Sequence, residues 1–210
     1  MRFLILLLPS LVLLGSIVFV LICSGLLVVS GIRGQRGRVR AIFRALMLYV
    51  LGYAVVLVVV GLIMPRRSLA AGERLCYDDW CVAALDAAPA EAERVAGCEG
   101  PNMCIVRLEV SSDAKRVRQR AADAAALLED RAAHHYRPCG APDPGGATLR
   151  DELGPAESFR VALAFMLPTG RSPVGVVIRH GYFPGCLVIG DDQSFAHRPT
   201  LYRVALPHGR

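Results

Sequence analysis

Cysteines carry the clearest chemistry in this chain of 210 residues, because six of the seven lie beyond residue 75. An even set of cysteines in an exported domain is typical of disulfides. Spacing suggests two local pairs, Cys76 with Cys81 and Cys98 with Cys104, and leaves Cys139 with Cys186 as a long-range pair, although sequence alone does not choose among the pairings. The six disulfide candidates are Cys76, Cys81, Cys98, Cys104, Cys139 and Cys186.

A metal site is the alternative interpretation of the same thiols. Structural zinc sites use close pairs of ligands, and neither local pair has the tight C-x-x-C spacing. His180 and His197 form a second metal hypothesis, since both follow predicted strands or loops near the end of the domain. The spacing favours disulfides over metal, so we assign no metal ligand and no cofactor.

Signatures of catalysis are missing from the sequence. It has no G-x-S-x-G turn, no H-E-x-x-H helix and no phosphate-binding glycine loop. The neighbours Asp78 and Asp79 would point to opposite faces of a strand, so we expect a turn that directs the single tryptophan, Trp80, into the core as its anchor. The sequence therefore predicts a protein that is not an enzyme.

Two long apolar runs precede the cysteines. Residues 3–32 and 45–64 contain no charged side chain, and about 20 apolar residues cross a bilayer as a helix. The first run is about twice as long as the apolar core of a cleaved signal peptide. We therefore predict a transmembrane helical hairpin over residues 1–64.

The segment between these runs is rich in arginine and has no acidic residue. Short basic loops stay in the cytoplasm, so we expect segment 33–44 inside, touching anionic head groups, and both chain ends outside. The predicted location is the inner membrane, with a periplasmic C-terminal domain. The topology determinants are Arg33, Arg36, Arg38, Arg40 and Arg44.

Charge beyond the hairpin is balanced. The net charge of +6 comes from Arg2 and the five arginines above, and the remaining 18 basic residues match 18 acidic ones. A nucleic-acid partner would need a basic face on the folded domain. The sequence therefore predicts the lipid bilayer, and no nucleic acid, as a partner.

Patterning after the hairpin predicts a linker at residues 65–75 and one β domain over residues 76–210. Period-two alternation indicates strands with one buried face, and clusters of turn residues between short strands are typical of a sandwich. The predicted strands lie at residues 80–85, 104–110, 159–165, 174–178, 186–189 and 202–206.

Residues 113–136 give conflicting signals. Their alanine, arginine and leucine content favours a helix by intrinsic propensity, whereas a sandwich needs two strands here, near residues 116–120 and 124–129. We predict the strands. The first would place Arg116, Arg118 and Arg120 on one face, which is either solvated or turned to an acidic partner.

Several short segments carry a resemblance to a known group. They resemble uncharacterised bacterial membrane-anchored proteins with an immunoglobulin-like extracytoplasmic domain, over roughly residues 75–206. The resemblance implies an all-β immunoglobulin-like sandwich and no assigned activity, and the chain departs from the group at Ala156, where the group has glycine. The segments are CYDDWC (76–81), RLEVSS (107–112), KRVRQR (115–120), LGPAES (153–158), FPG (183–185) and HRPT (197–200).

These observations predict a non-catalytic, membrane-tethered binding or structural module. The alternative is an accessory subunit of a larger membrane complex, in which the hairpin makes the main contacts. Tyr49 and Tyr53 share one face of the second span, and a hydroxyl in lipid needs a partner. Another membrane or envelope protein is therefore an expected partner. A remote alternative is an exported metal or thiol-redox enzyme.

Overall fold

The computed structural model describes residues 2–89, 95, 98, 102–143, 145–180 and 182–204. The chain forms two compact units. The first, which we call the helical unit, comprises Met1–Pro65 and Tyr182–Arg198. The second, the β unit, comprises Arg66–Gly181 and Pro199–Arg210.

Two long helices form most of the helical unit, α1 (Arg2–Ile32) and α2 (Arg36–Ile63). Ser10–Ile32 of α1 and the whole of α2 are each long and apolar enough to cross a membrane. The hairpin that the sequence predicts at residues 1–64 is thus formed by two such helices. A third helix, α3, is a single turn at Tyr182–Gly185.

The basic segment between the helices differs from its prediction as a loop over residues 33–44. Only Arg33, Gly34 and Gln35 lie between α1 and α2, and the other four arginines belong to α2. Gly34 ends α1 with a φ of +68°, and the amide of Gln35 donates to the carbonyl of Ser30 at 2.9 Å, as in a Schellman cap. Arginine favours helices, so α2 begins at once.

Polar side chains join the two helices at one level. The Tyr49 hydroxyl donates to Ser16 Oγ at 2.7 Å, and the Ser16 hydroxyl donates to the carbonyl of Val12 at 2.7 Å. The rings of Phe19 and Tyr49 lie 4.5 Å apart. Tyr49 therefore packs on α1, while Tyr53 donates to the carbonyl of Leu187 within the same unit.

Among the residues of the β unit that the structure describes, ten strands form two five-stranded sheets. Neighbouring strands are antiparallel, except that β1 runs parallel to β10. The first sheet has the order β1 (Ser68–Leu69), β10 (Leu201–Arg203), β9 (Pro173–Arg179), β5 (Ala125–Asp130), β6 (His135–Tyr136). The second has the order β2 (Arg74–Tyr77), β3 (Trp80–Pro89), β4 (Met103–Ser112), β8 (Ser158–Met166), β7 (Pro138–Gly140).

One apolar core lies between the sheets, which makes the β unit a sandwich. Val106 and Leu108 of β4 share it with Val176 and Ile178 of β9. Successive side chains of a strand point to opposite faces, so the alternate residues of β4, such as Ile105, form a second cluster on the outer face of that sheet. The alternation that predicted β4 and β8 is thus reproduced in their burial.

Three predicted segments differ from the structure. Residues 116–120 form a loop in which only Gln119 pairs, with Leu153, because charged residues there have no core to face. Residues 186–189 are turns of the helical unit and not a strand. Part of the expected linker at residues 65–75 is sheet, since it holds β1 and the first residues of β2. The second predicted strand of the alanine-rich stretch exists as β5.

The LGPAES turn holds Ala156 in an unusual backbone conformation. Ala156 has a φ of +57°, in the left-handed region that glycine occupies without steric cost. The amide of Gly154 donates to Glu157 Oε2 at 2.6 Å, and the amide of Glu157 donates back to the carbonyl of Gly154. These hydrogen bonds stabilise the left-handed backbone conformation of Ala156.

Candidate functional site

Two disulfides cross-link the β unit. Cys76 is bonded to Cys81, which lies directly opposite it in the β2–β3 hairpin. Cys98 is bonded to Cys139 of β7, with Cα atoms 5.4 Å apart. The suggested pairs Cys98–Cys104 and Cys139–Cys186 are therefore wrong.

The observed pairing follows from which face of β4 each cysteine lies on. Cys104 points into the core between the sheets, whereas Cys98 and Cys139 pack in the cluster on the opposite face. Cys104, Cys186 and Cys23 are buried free thiols. Burial raises the pKa of the Cys104 thiol to about 11, so this group is protonated at neutral pH and is not a reactive thiolate.

The Cys76–Cys81 disulfide lies beside a carboxylate. Potential ligand atoms of Cys76, Cys81 and Asp113 lie within 4.8 Å of one another. Zinc binds thiolates, and the disulfide leaves neither cysteine in that form. Asp113 instead accepts a hydrogen bond from Arg74 at 3.1 Å.

Trp80 lies in the core of the β unit and is 2% exposed. Its ring centroid lies 5.0 Å from that of His180 and 6.0 Å from that of Tyr77. His180 Nδ1 lies 2.5 Å from Asp123 Oδ1. His197 has a different partner, the carbonyl of Gly61 in the helical unit, at 3.4 Å.

An ionic cluster that the sequence analysis missed lies at the end of β5. Glu129 is 5% exposed, and both of its carboxylate oxygens accept hydrogen bonds from Arg66, at 2.5 and 2.6 Å. His135 Nε2 lies 2.9 Å from Oε2. Burial by itself would raise the pKa of Glu129, but hydrogen bonds and charges from Arg66 and His135 lower it overall.

Asp130 extends this cluster on the opposite face of β5. Its carboxylate accepts hydrogen bonds from the amides of Ala132 and His134, at 2.8 and 2.9 Å, and from the Tyr136 hydroxyl at 2.9 Å. Burial opposes ionisation, yet these bonds lower the pKa of Asp130 to about 2. The two carboxylates therefore remain ionised at neutral pH and fix the β5–β6 hairpin. Arg66, the main partner of Glu129, lies 63 positions away in the sequence, so spacing gave no signal for that pair.

A groove with a volume of about 540 Å³ opens on the β unit beside β5, β7 and β8. Its lining includes Leu127, Leu149 and Leu163 together with three arginines, Arg137, Arg150 and Arg179. None of the lining residues, all from the described part of the chain, is acidic. We call this feature the arginine groove.

The three arginines come from separate elements. Arg179 ends β9 and pairs with Ala125 of β5, and Arg137 lies between β6 and β7. Arg150 lies in a turn and donates from Nε to the carbonyl of Ala124 at 3.3 Å. Arg179 is thus held by a strand and Arg150 by a hydrogen bond.

The turn that carries Arg150 is itself held by a short hydrogen-bond network. Asp151 accepts from the amide of Thr148 at 2.9 Å and from its hydroxyl at 2.7 Å. These bonds lower the pKa of Asp151. Arg120 donates to the carbonyl of Arg150 at 3.1 Å, so the rim of the groove is preorganised.

Guanidinium groups bind carboxylates and phosphates through paired hydrogen bonds. An apolar floor with a few convergent polar groups is the usual form of a ligand site. The arginine groove therefore has the chemistry to hold an anionic group attached to an apolar body. Sequence analysis missed it because its arginines are far apart in the chain and follow no motif.

No protein-family model matches the sequence, and no curated protein matches it significantly. Three solved structures of bacterial proteins show a weak likeness to this chain. MPT63, a secreted protein from Mycobacterium tuberculosis, has a TM-score of 0.43 and 15% identity, and covers 56% of this chain and 92% of its own. The yjhA protein from Bacillus subtilis has a TM-score of 0.42 and 10% identity, covering 65% and 98%.

An uncharacterized β-sandwich protein from Clostridium difficile 630 has a TM-score of 0.38 and 10% identity, covering 67% of this chain and 95% of its own. All three TM-scores lie below 0.5, so these likenesses do not identify a function. The resemblance to the membrane-anchored group stays a prediction.

Proposed function

We propose that this protein is a non-catalytic binding module tethered to the bacterial inner membrane. In this proposal α1 and α2 cross the bilayer, the arginine-rich turn faces the cytoplasm, and the β unit lies in the periplasm. The helices support it because only 11% of each apolar window is buried, whereas the core helix of a soluble protein is mostly buried. Disulfides in the β unit agree with an oxidising compartment.

We further infer that the sandwich is immunoglobulin-like. Its β3-β4-β8-β7 order corresponds to the A-B-E-D sheet of that fold, and its β10-β9-β5-β6 order corresponds to G-F-C-C′. The hairpin strand β2 is an addition at the edge of the first of these sheets. Loops at the ends of such sandwiches commonly carry binding surfaces.

The arginine groove is the observation that carries the binding role. Three arginines line it together with apolar residues, and the lining contains no acidic residue, although the chain beyond the hairpin has balanced charge. An anionic ligand would gain charge-assisted hydrogen bonds there. We propose that the ligand is an envelope component that joins a carboxylate or phosphate to an apolar segment.

Photo-crosslinking in intact cells tests this proposal. A photoreactive residue replacing Thr148, at the groove, is expected to capture an envelope component. The substitutions Arg150→Gln and Arg179→Gln together should abolish that adduct. Lys115→Gln combined with Arg116→Gln is the control, because it also removes two positive charges, from an exposed loop outside the groove.

The outcomes separate the alternatives. Equal crosslinking in the double variant and the control would overturn the groove as the binding surface. Adducts formed from Val50 of the hairpin, and none from Thr148, would favour the accessory-subunit alternative.

A further inference from the structure

The connection between β9 and β10 leaves the β unit. These two strands pair directly, and antiparallel neighbours need only about two to five residues between them. Here the chain runs from Arg179 to Leu201, and Tyr182–Arg198 belongs to the helical unit. We call residues 182–198 the excursion.

The excursion contacts α2 and its C-terminal end at three positions along the helix axis. The Tyr53 hydroxyl donates to the carbonyl of Leu187 at 2.5 Å, the carbonyl of Gly61 lies near His197, and Met64 lies against Gly190. At 1.5 Å per residue, the stretch from Tyr53 to Met64 measures about 16 Å along the helix. That is about half of the hydrocarbon thickness of a bilayer.

Gly61 permits the close approach. A Cβ atom at this position would lie 2.6 Å from the carbonyl oxygen of Phe195 and 3.1 Å from the amide nitrogen of His197. Both are backbone atoms, which do not move aside as a flexible side chain does. The backbone of the excursion therefore packs directly on the backbone of α2, as small residues allow between membrane segments.

Apolar side chains of the excursion face outward. Phe183 is 77% exposed, Phe195 55% and Leu187 40%. Several backbone amides bond within the excursion, including Phe195 to the carbonyl of Cys186 at 2.9 Å. Non-helical backbone at membrane depth needs such internal or protein partners.

We infer that the excursion is a re-entrant, lipid-facing element beside the outer half of α2. This inference rests on the proposed membrane function of the hairpin. Phe183, Leu187 and Phe195 would face the acyl chains, while Asp191 and Asp192, next to the Gly190 that packs on Met64, would lie at the water interface. The sandwich is thus attached to the membrane through this loop as well as through α2.

Depth-dependent fluorescence quenching tests the inference with the full chain in phosphatidylethanolamine–phosphatidylglycerol vesicles. Phe183→Trp is expected to show blue-shifted emission and quenching by nitroxides on the lipid acyl chains. Val117→Trp is the matched control, because Val117 is 65% exposed in a loop of the β unit. Its emission should respond to aqueous acrylamide, and native Trp80 gives both proteins the same buried background.

A second pair of variants tests the contact with α2. Gly61→Val in the Phe183→Trp protein should displace the excursion, with loss of lipid quenching. Gly52→Val should retain it, since a Cβ at Gly52 meets nothing within 4 Å.

The outcomes distinguish the two hypotheses. A protein that fails to float with the vesicles would overturn the membrane tether itself. If the protein floats but the Phe183→Trp emission is quenched only by acrylamide, the excursion is not in contact with lipid and the inference of a re-entrant element is wrong. The exposed apolar side chains would then be available to contact a protein partner.

Discussion

The helical unit and the β unit differ in how much of their apolar surface is exposed. Large apolar side chains of α1 and α2 are mostly exposed, and the described contacts between the helices centre on Tyr49, with Ser16 and Phe19. The β unit buries its apolar residues between two sheets and adds two disulfides and a buried ion pair. Each unit suits a different solvent. The proposed solvent for the first is lipid, so its stability depends little on single contacts, whereas that of the second depends on specific cross-links.

Removal of the long-range disulfide is expected to have the largest effect on this contrast. Cys98 and Cys139 are 41 residues apart, whereas Cys76 and Cys81 are five apart. Chain entropy predicts that replacing both members by serine lowers the free energy of unfolding by about 4 kcal/mol for the first pair and about 2 kcal/mol for the second. Urea unfolding in detergent, followed by the fluorescence of Trp80, measures both losses.

The helical signal in circular dichroism provides the control for that experiment. It should be unchanged in both variants at urea concentrations that unfold the β unit. Equal losses for the two disulfides, or a loss of helix in either variant, would contradict the contrast between the units.

Breaking the buried ion pair is expected to have the next largest effect. Glu129→Gln leaves the Arg66 guanidinium without its counter-charge, and loss of one partner of a buried pair costs about 3 kcal/mol or more. Asp86→Asn is the matched control, because Asp86 pairs with Arg107 at 2.9 Å on the exposed surface. Exposed pairs contribute less than about 1 kcal/mol, so similar losses in the two variants would show that burial does not matter here.

The contribution of the Glu129 carboxylate to stability should also depend on pH. Because the folded-state pKa of Glu129 is lowered, the unfolded chain binds more protons and the ion pair stabilises the fold fully above the unfolded pKa of about 4.3. This stabilisation is lost as the pH falls through the lower folded pKa. The wild-type protein should therefore lose more stability below about pH 4.3 than Glu129→Gln does, in urea titrations at a series of pH values.

The smallest effect is expected inside the hairpin. Tyr49→Phe removes the hydrogen bond to Ser16, and interhelical hydrogen bonds in membranes contribute about 0.6 kcal/mol on average. Helix loss during titration with sodium dodecyl sulfate measures it. Tyr53→Phe is the control, because that hydroxyl bonds to Leu187 and not to α1. If Tyr49→Phe lowered the free energy of unfolding by several kcal/mol, the helical unit would also depend on single contacts, which would contradict the proposed difference between the units.

Sequence patterns predicted most elements and few contacts. Uninterrupted apolar runs predicted α1 and α2, and alternation predicted β4 and β8, because each pattern reflects the surroundings of a single element. An apolar run such as residues 186–189 does not by itself identify a strand, and the structure forms it as turns of the helical unit. Disulfide pairing depended on which face of β4 a cysteine occupies, which spacing does not reveal.

The candidate site was harder to predict than the fold. Arg137, Arg150 and Arg179 meet only through the packing of three elements. Glu129 and Arg66 pair across 63 positions of sequence, and neither belongs to a recognisable motif. The burial of Trp80 could be predicted from the sequence, because a large aromatic residue next to a hairpin turn usually packs into the core.

The parallel pairing of β1 with β10 has a consequence for biosynthesis. Ser68 and Leu69, near the beginning of the β unit, pair with Leu201 and Tyr202, in the last described strand of the sheet. Contacts between distant residues form slowly because a long loop must close first. The sheet that contains β1 is therefore completed only after residues 201 and 202 have been synthesised, and until then the growing chain depends on protection from aggregation.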